Sequence, residues 1–72
     1  MTKFEVALHN EEVRRCVKED ERHREFNDDW ADIHYIEVNA EDEQEARRKI
    51  ESRYPSSKGF VIQIVVEIKE EG

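Results

Sequence analysis

The side chains best suited to metal chemistry lie close together near the middle of the chain. Asp28, Asp29, Asp32 and His34 are carboxylate and imidazole ligands of the kinds that divalent cations take. Their spacing has neither the glycine and fixed alternation of an EF-hand loop nor the paired histidines of an HExxH helix. Because aspartate clusters arise by chance in so acidic a chain, these residues are candidates only, and no cofactor is expected.

The residues that could carry nucleophilic or phosphate chemistry are sparse. Cys16, the single cysteine, could be a nucleophile only beside a histidine that the fold brings to it. It lies between Val13 and Val17 on an apolar stripe, which favours a half-buried structural cysteine. The only glycines, Gly59 and Gly72, cannot form a phosphate-cradling loop. No catalytic residue is predicted, and a non-enzymatic protein is favoured.

Charge disfavours polyanionic partners. The 72 residues carry a formal net charge of −7, which opposes attachment to phosphate backbones and anionic lipid. RNA or DNA binding stays a minor hypothesis, because basic residues occur in two helical stretches with acidic neighbours that favour intrahelical pairing. These residues are Arg14, Arg15, Lys18, Arg22 and Arg24 in the first stretch, and Arg47, Arg48, Lys49, Arg53 and Lys58 around the second.

Length and hydropathy indicate one small domain spanning residues 1–72. No apolar run approaches the roughly 20 residues that cross a bilayer, and the N-terminal segment MTKFEVALHN lacks the basic and apolar regions of a signal peptide. We therefore expect a cytoplasmic protein without a membrane span. One cysteine allows no intrachain disulfide, so stability must come from a modest core or from self-association.

Periodicity predicts strands and helices in alternation. Phe4, Val6 and Leu8 alternate with polar residues as in a half-buried strand, and Asn10 suits the N-cap of a helix that runs to about residue 20. Residues 19–29 either prolong this helix or form a solvated connection with Phe26 folded back onto the core.

The second half of the chain gives clearer signals. It predicts a strand over residues 33–39, a helix over 40–54 that ends at Pro55, and a strand over 60–68. The fold class is therefore α+β in βαβαβ order, a three-stranded sheet with two helices packed on one face. Parallel pairing of the last two strands is the default for such a crossover.

The uncovered face of this sheet is the predicted interface. If Ile62, Ile64 and Val66 point at the helices, an apolar patch remains on the other side. The predicted interface residues are Ile36, Val38, Val61 and Val65. The leading hypothesis is a protein-interaction domain, homodimeric through this face or bound to another protein, and the alternative is a small-ligand or metal-binding accessory domain.

A resemblance accompanies this interpretation. The segment Trp30 to Ile68 carries Tyr35-x-x-Val38-x-Ala40, then Ala46 and Ile50, then Tyr54-Pro55 and Gly59-Phe60-Val61-Ile62. It resembles a strand–helix–strand unit of small uncharacterised bacterial proteins. With RHREFNDDW ahead of it, the chain is similar to short hypothetical proteins of proteobacteria. The resemblance implies a bacterial origin and a helix packed on two strands, and it brings no catalytic residue.

Overall fold

The computed structural model describes residues 1–69 and has the predicted α+β fold class and element order. Three strands and two helices alternate along the chain, with short 3-10 turns at Asp28–Ala31 and Ser56–Lys58. The elements are β1 (Thr2–Asn10), α1 (Glu11–Lys18), β2 (His34–Ala40), α2 (Glu43–Arg53) and β3 (Phe60–Ile68). Fold class and the approximate limits of every strand are thus confirmed.

The sheet has the strand order β2-β1-β3, and both neighbours run antiparallel to β1. The predicted pairing of the last two strands is wrong, since β1 separates them. β1 occupies the centre because its side chains are suited to burial on both faces. Val6 and Leu8 are fully buried on one face, and Ala7 and His9 are almost fully buried on the other. Only a central strand can bury both faces this completely.

One helix covers one face of the sheet. Asp42 caps the start of α2 by accepting a hydrogen bond from the Glu45 backbone N–H at 2.8 Å. Ala46 and Ile50 then point at the sheet and are completely buried. They form the core with apolar residues of all three strands, namely Phe4, Val6, Leu8, Val38, Ala40 and Phe60. The face opposite α2 carries neither helix.

The first helix starts at the end of β1. Asn10 Oδ1 accepts the Val13 backbone N–H at 3.0 Å, and its Nδ2 donates to the Lys58 carbonyl at 3.0 Å. α1 packs mainly against the 3-10 turn at Asp28–Ala31. The Arg14 Nε donates a hydrogen bond to the backbone carbonyl of Ala31 in this turn, at 3.0 Å. α1 therefore lies at the end of the sheet, whereas α2 lies across it.

Residues 19–27 form the connection that the sequence left undecided. α1 ends at Lys18, and Asp20 has a φ of 59°, which a helix cannot contain. Phe26 folds back so that its ring meets Phe60 edge to face with centroids 4.9 Å apart. The structure therefore has the solvated connection and not the longer helix.

A bulge in β3 changes which side chains face the helix. Ala7 lies opposite Ile64 and Leu8 lies opposite Ile62, so Gln63 is an extra residue without a register partner. The alternation along β3 therefore reverses after Ile62. Val65 faces the core, while Ile64 and the residues that alternate with it face away from α2.

Candidate interaction surface

The sheet face opposite α2, called the open face below, is built from rows of side chains that the strand register places side by side. Residues directly opposite one another in neighbouring strands lie on the same face. The three rows, each written in the order β2, β1, β3, are Tyr35–Ala7–Ile64, Glu37–Glu5–Val66 and Asn39–Lys3–Ile68. Beyond the first row lie His9 and Val61.

The first row and its neighbours expose apolar area. Tyr35 is 64% exposed, Ile64 53%, Val66 46% and Val61 38%, around a nearly buried Ala7. Single exposed apolar residues are ordinary on a protein surface, but a contiguous group of them marks a contact surface. Ala7, on the middle strand between Tyr35 and Ile64, is only 3% exposed.

The predicted interface residues lie only partly on this face. Val61 is on it, as expected. Val38 is a core residue beneath α2, and Ile36 and Val65 are partly buried against the same core. The expected positions of these three were wrong. The bulge at Gln63 reverses β3, and the β1–β2 register places Ile36 and Val38 opposite Val6 and Phe4, which both face α2.

The second row, called the carboxylate row below, puts two like charges next to each other. Glu5 and Glu37 are directly opposite in the antiparallel register of β1 and β2. The Lys3 Nζ lies 3.9 Å from the Glu37 carboxylate. Like charges directly opposite each other destabilise a sheet. The carboxylate row therefore places two like charges side by side, with Lys3 offsetting part of the charge of Glu37.

At the other end of the open face His9 is buried, with 1% of its surface exposed. Its Nδ1 accepts a hydrogen bond from the Gln63 amide at 2.9 Å, and its Nε2 meets the Glu11 carboxylate. The hydrogen bond from His9 lowers the pKa of Glu11, and the nearby charge of Arg14 lowers it further. This contact joins β1, α1 and the bulge in β3. No sequence signal identified it, because partners 54 positions apart in the chain depend on the strand order.

The four candidate metal ligands do not form a metal site. His34 stacks on Trp30 with ring centroids 4.1 Å apart, and its Nε2 bonds the backbone oxygen of Asp29 at 2.9 Å. The carboxylates of Asp28, Asp29 and Asp32 do not converge on it. Within residues 1–69, no group of three or more His, Cys, Asp or Glu side chains is placed to hold a metal ion.

Cys16 is half-buried, near Arg15, Arg22 and Arg24 at a shallow depression. The histidine at that depression, His23, has both ring nitrogens engaged by groups other than the thiol. Its Nε2 lies 3.1 Å from the Glu12 carboxylate, and its Nδ1 accepts the Glu25 backbone N–H at 3.1 Å. The structure therefore shows no thiol–imidazole hydrogen bond in the described part of the chain.

Several of the basic residues on the helices are paired with acids. Arg47 lies 3.8 Å from Glu43, and Lys49 lies 3.5 Å from Glu45, each one helical turn away. The pair of Glu43 with Arg47 was predicted from the sequence; Glu11, expected beside Arg15, instead lies 3.8 Å from Arg14. Each neutralises part of the positive charge that a phosphate backbone would need.

Comparison with protein-family models, curated proteins and solved structures finds no match for this chain. Across residues 1–69, neither helix combines the length and the apolar character needed to pass through a bilayer.

Proposed function

We propose that the chain is a non-enzymatic, cytoplasmic protein-interaction domain that binds through the open face. The observation that supports this proposal is the contiguous apolar surface formed by Tyr35, Ile64, Val66 and Val61 on the side of the sheet that lacks a helix. Burying it would remove apolar area from water, and each Å² contributes about 25 cal/mol. These side chains lie outside the core on the α2 side, and a partner would bury the area that they still expose.

Self-association is the simplest form of this function. A chain of 72 residues buries a smaller fraction of its surface on folding than a larger domain does, and often gains stability from a second copy. The row Tyr35–Ala7–Ile64 can pack on itself about a two-fold axis, because such a contact needs only a self-complementary patch. The exposed Tyr35 and Ile64 would then pack against the same side chains of the second copy.

Sedimentation equilibrium over micromolar to millimolar concentrations tests this proposal. We expect a concentration-dependent mass in the native chain, and a monomer mass for Ile64→Asp, since burying an unpaired carboxylate in the contact is costly. Val17→Asp is the matched control, because Val17 is 45% exposed on α1 and outside the open face.

Two results would argue against self-association through this face. One is a monomer mass for the native chain at every concentration. The other is equal loss of association in the Ile64 and Val17 variants, which would indicate a contact elsewhere or a general effect of added charge.

A further inference from the structure

The open face carries more than apolar area, and its second row bears on the kind of partner it takes. In the carboxylate row, Glu5 and Glu37 stand beside Val66, between the apolar first row and the third row. Within residues 1–69, Glu5 forms no ion pair, and the Lys3 ammonium is placed 3.9 Å from Glu37. Glu5 is thus the carboxylate of this row without an ion pair in the described residues.

A cation from outside would relieve the repulsion in this row. A lysine or arginine placed between Glu5 and Glu37 would meet two carboxylates, and the apolar neighbours would reduce the access of water to the pair. Polyanions such as RNA, DNA and anionic lipid surfaces would instead add to the repulsion. The charges therefore select a basic partner.

We propose that the open face binds a segment of another protein that presents a lysine or arginine next to an apolar side chain. This inference rests on the proposed function and names the chemistry of the partner. Successive rows on one face of a sheet are about 6.8 Å apart, which is twice the rise per residue of an antiparallel strand. The apolar side chain packs against the exposed Tyr35 and Ile64, and the basic one contacts the carboxylate row.

A second copy of the chain fits this chemistry less well than a basic protein. In residues 1–69, the lysine of the open face is Lys3, which already lies beside Glu37. Each copy also carries a net charge of −7. Self-association therefore occurs against electrostatic repulsion, whereas a basic segment binds with electrostatic attraction.

These opposite signs give a direct experimental distinction. Added salt screens exposed charges, so it strengthens the contact between two copies and weakens the contact with a basic segment. Because Glu5→Gln removes one carboxylate from the row, it should also strengthen the contact between two copies and weaken the contact with a basic segment. A single variant thus changes the two kinds of binding in opposite directions.

The test uses three synthetic peptides and the full isotope-labelled chain, followed by amide chemical shifts. The probe repeats Lys-Ser-Val-Ser, which in extended form presents lysine and valine alternately on one side. One control peptide has glutamine in place of lysine, and the other has serine in place of valine. We expect the probe to shift the signals of Tyr35, Glu5 and Glu37, and each control peptide to bind more weakly.

The protein variants make the test specific for the carboxylate row. Glu5→Gln should weaken probe binding by roughly two- to fivefold, the range that one exposed ion pair contributes. Glu43→Gln removes the same charge from α2, on the opposite side of the sheet, and should leave the affinity unchanged. Equal weakening in both variants would show general attraction to an acidic protein and would overturn the inference.

Failure of this inference can be told apart from failure of the proposed function. If no peptide shifts the open-face signals, but self-association is lost in Ile64→Asp and kept in Val17→Asp, the face binds a second copy and the basic partner is wrong. If neither peptides nor a second copy bind there, the interaction function itself is wrong. If the lysine and glutamine peptides bind equally well, the carboxylate row has no role in binding, but the open face is still an interaction surface.

Discussion

The adjacent valines of β3 allow a sharp test of the bulge on which the open face depends. Val65 packs against the core, whereas Val66 is 46% exposed on the open face. Threonine has nearly the shape of valine, with a hydroxyl in place of one methyl group, so Val65→Thr places a polar group at the core. An unsatisfied buried hydroxyl costs about 1–3 kcal/mol, and partial burial of Val65 sets the expected cost near the lower end, about 1 kcal/mol.

The matched variant Val66→Thr should change stability by less than about 0.5 kcal/mol, as exposed substitutions usually do. For a domain of this size, 1 kcal/mol corresponds to about 4–8 °C in the unfolding temperature. Urea unfolding followed by circular dichroism, at several protein concentrations, separates this effect from any change in association.

The opposite order of stabilities would refute the register. Strict alternation of Phe60, Ile62, Ile64 and Val66 without a bulge would place Val66 in the core and Val65 outside. Val66→Thr would then be the destabilised variant. Equal losses of stability in Val65→Thr and Val66→Thr would mean that both faces of β3 are covered to the same extent.

Three further predictions concern the core, the turn before β3 and pH. Ile50→Ala should lower the free energy of unfolding by about 2–5 kcal/mol, because Ile50 is fully buried, and denaturant unfolding would show it. Gly59→Ala should lower the unfolding temperature, because φ is 98° and the added Cβ would lie 2.7 Å from Asn10 Oδ1; an unchanged value would contradict this geometry. Since His9 lowers the pKa of folded Glu11, that carboxylate stabilises the fold above its unfolded pKa, and the contribution disappears as pH falls through the folded pKa. The stability difference between native protein and Glu11→Gln should therefore shrink on acidification below about pH 4, and a constant difference would refute the contact.

The core substitution carries the largest expected effect relative to total stability. Domains are stabilised by about 0.05–0.15 kcal/mol per residue, which gives roughly 4–11 kcal/mol for 72 residues. Loss of the Ile50 side chain could therefore remove a large part of the total. A change of less than about 1 kcal/mol would contradict the packing of α2 on the sheet.

Local sequence patterns were sufficient to predict the elements. The polar Asn10 before Glu11 predicted the start of α1, and its side chain does accept the Val13 N–H. Pro55 predicted the end of α2, which stops at Arg53. These features depend on neighbours within one helical turn, so one sequence contains the information needed to infer them.

The arrangement of the strands depended on contacts between distant residues. The crossover from β2 to β3 allows direct pairing, and it equally allows β1 to lie between them. The pairing of β1 with both other strands shows that it is central, and Ala7 and His9 are buried on the face opposite Val6 and Leu8. His9, between Leu8 and Asn10, gave no sequence signal for such burial.

An open sheet face was predicted by packing both helices on the other side of three strands, and its role as an interface stays a prediction. Three of the four residues assigned to it, Ile36, Val38 and Val65, lie on the α2 side instead. The members of that face depend on the bulge at Gln63, which shifts every later residue of β3 by one position. The hydrogen bond from Gln63 to His9 accompanies that bulge, and neither residue indicates it when the sequence is read alone.

The most direct test of the open face as the interaction surface is a concentration series of amide chemical shifts. As the protein is raised from micromolar to millimolar concentration, the largest changes should occur at Tyr35, Ile64 and Val66. They should be absent from the exposed side of α2 and from Val17. Changes centred on α1 or α2, or no change at any residue, would contradict self-association through the open face.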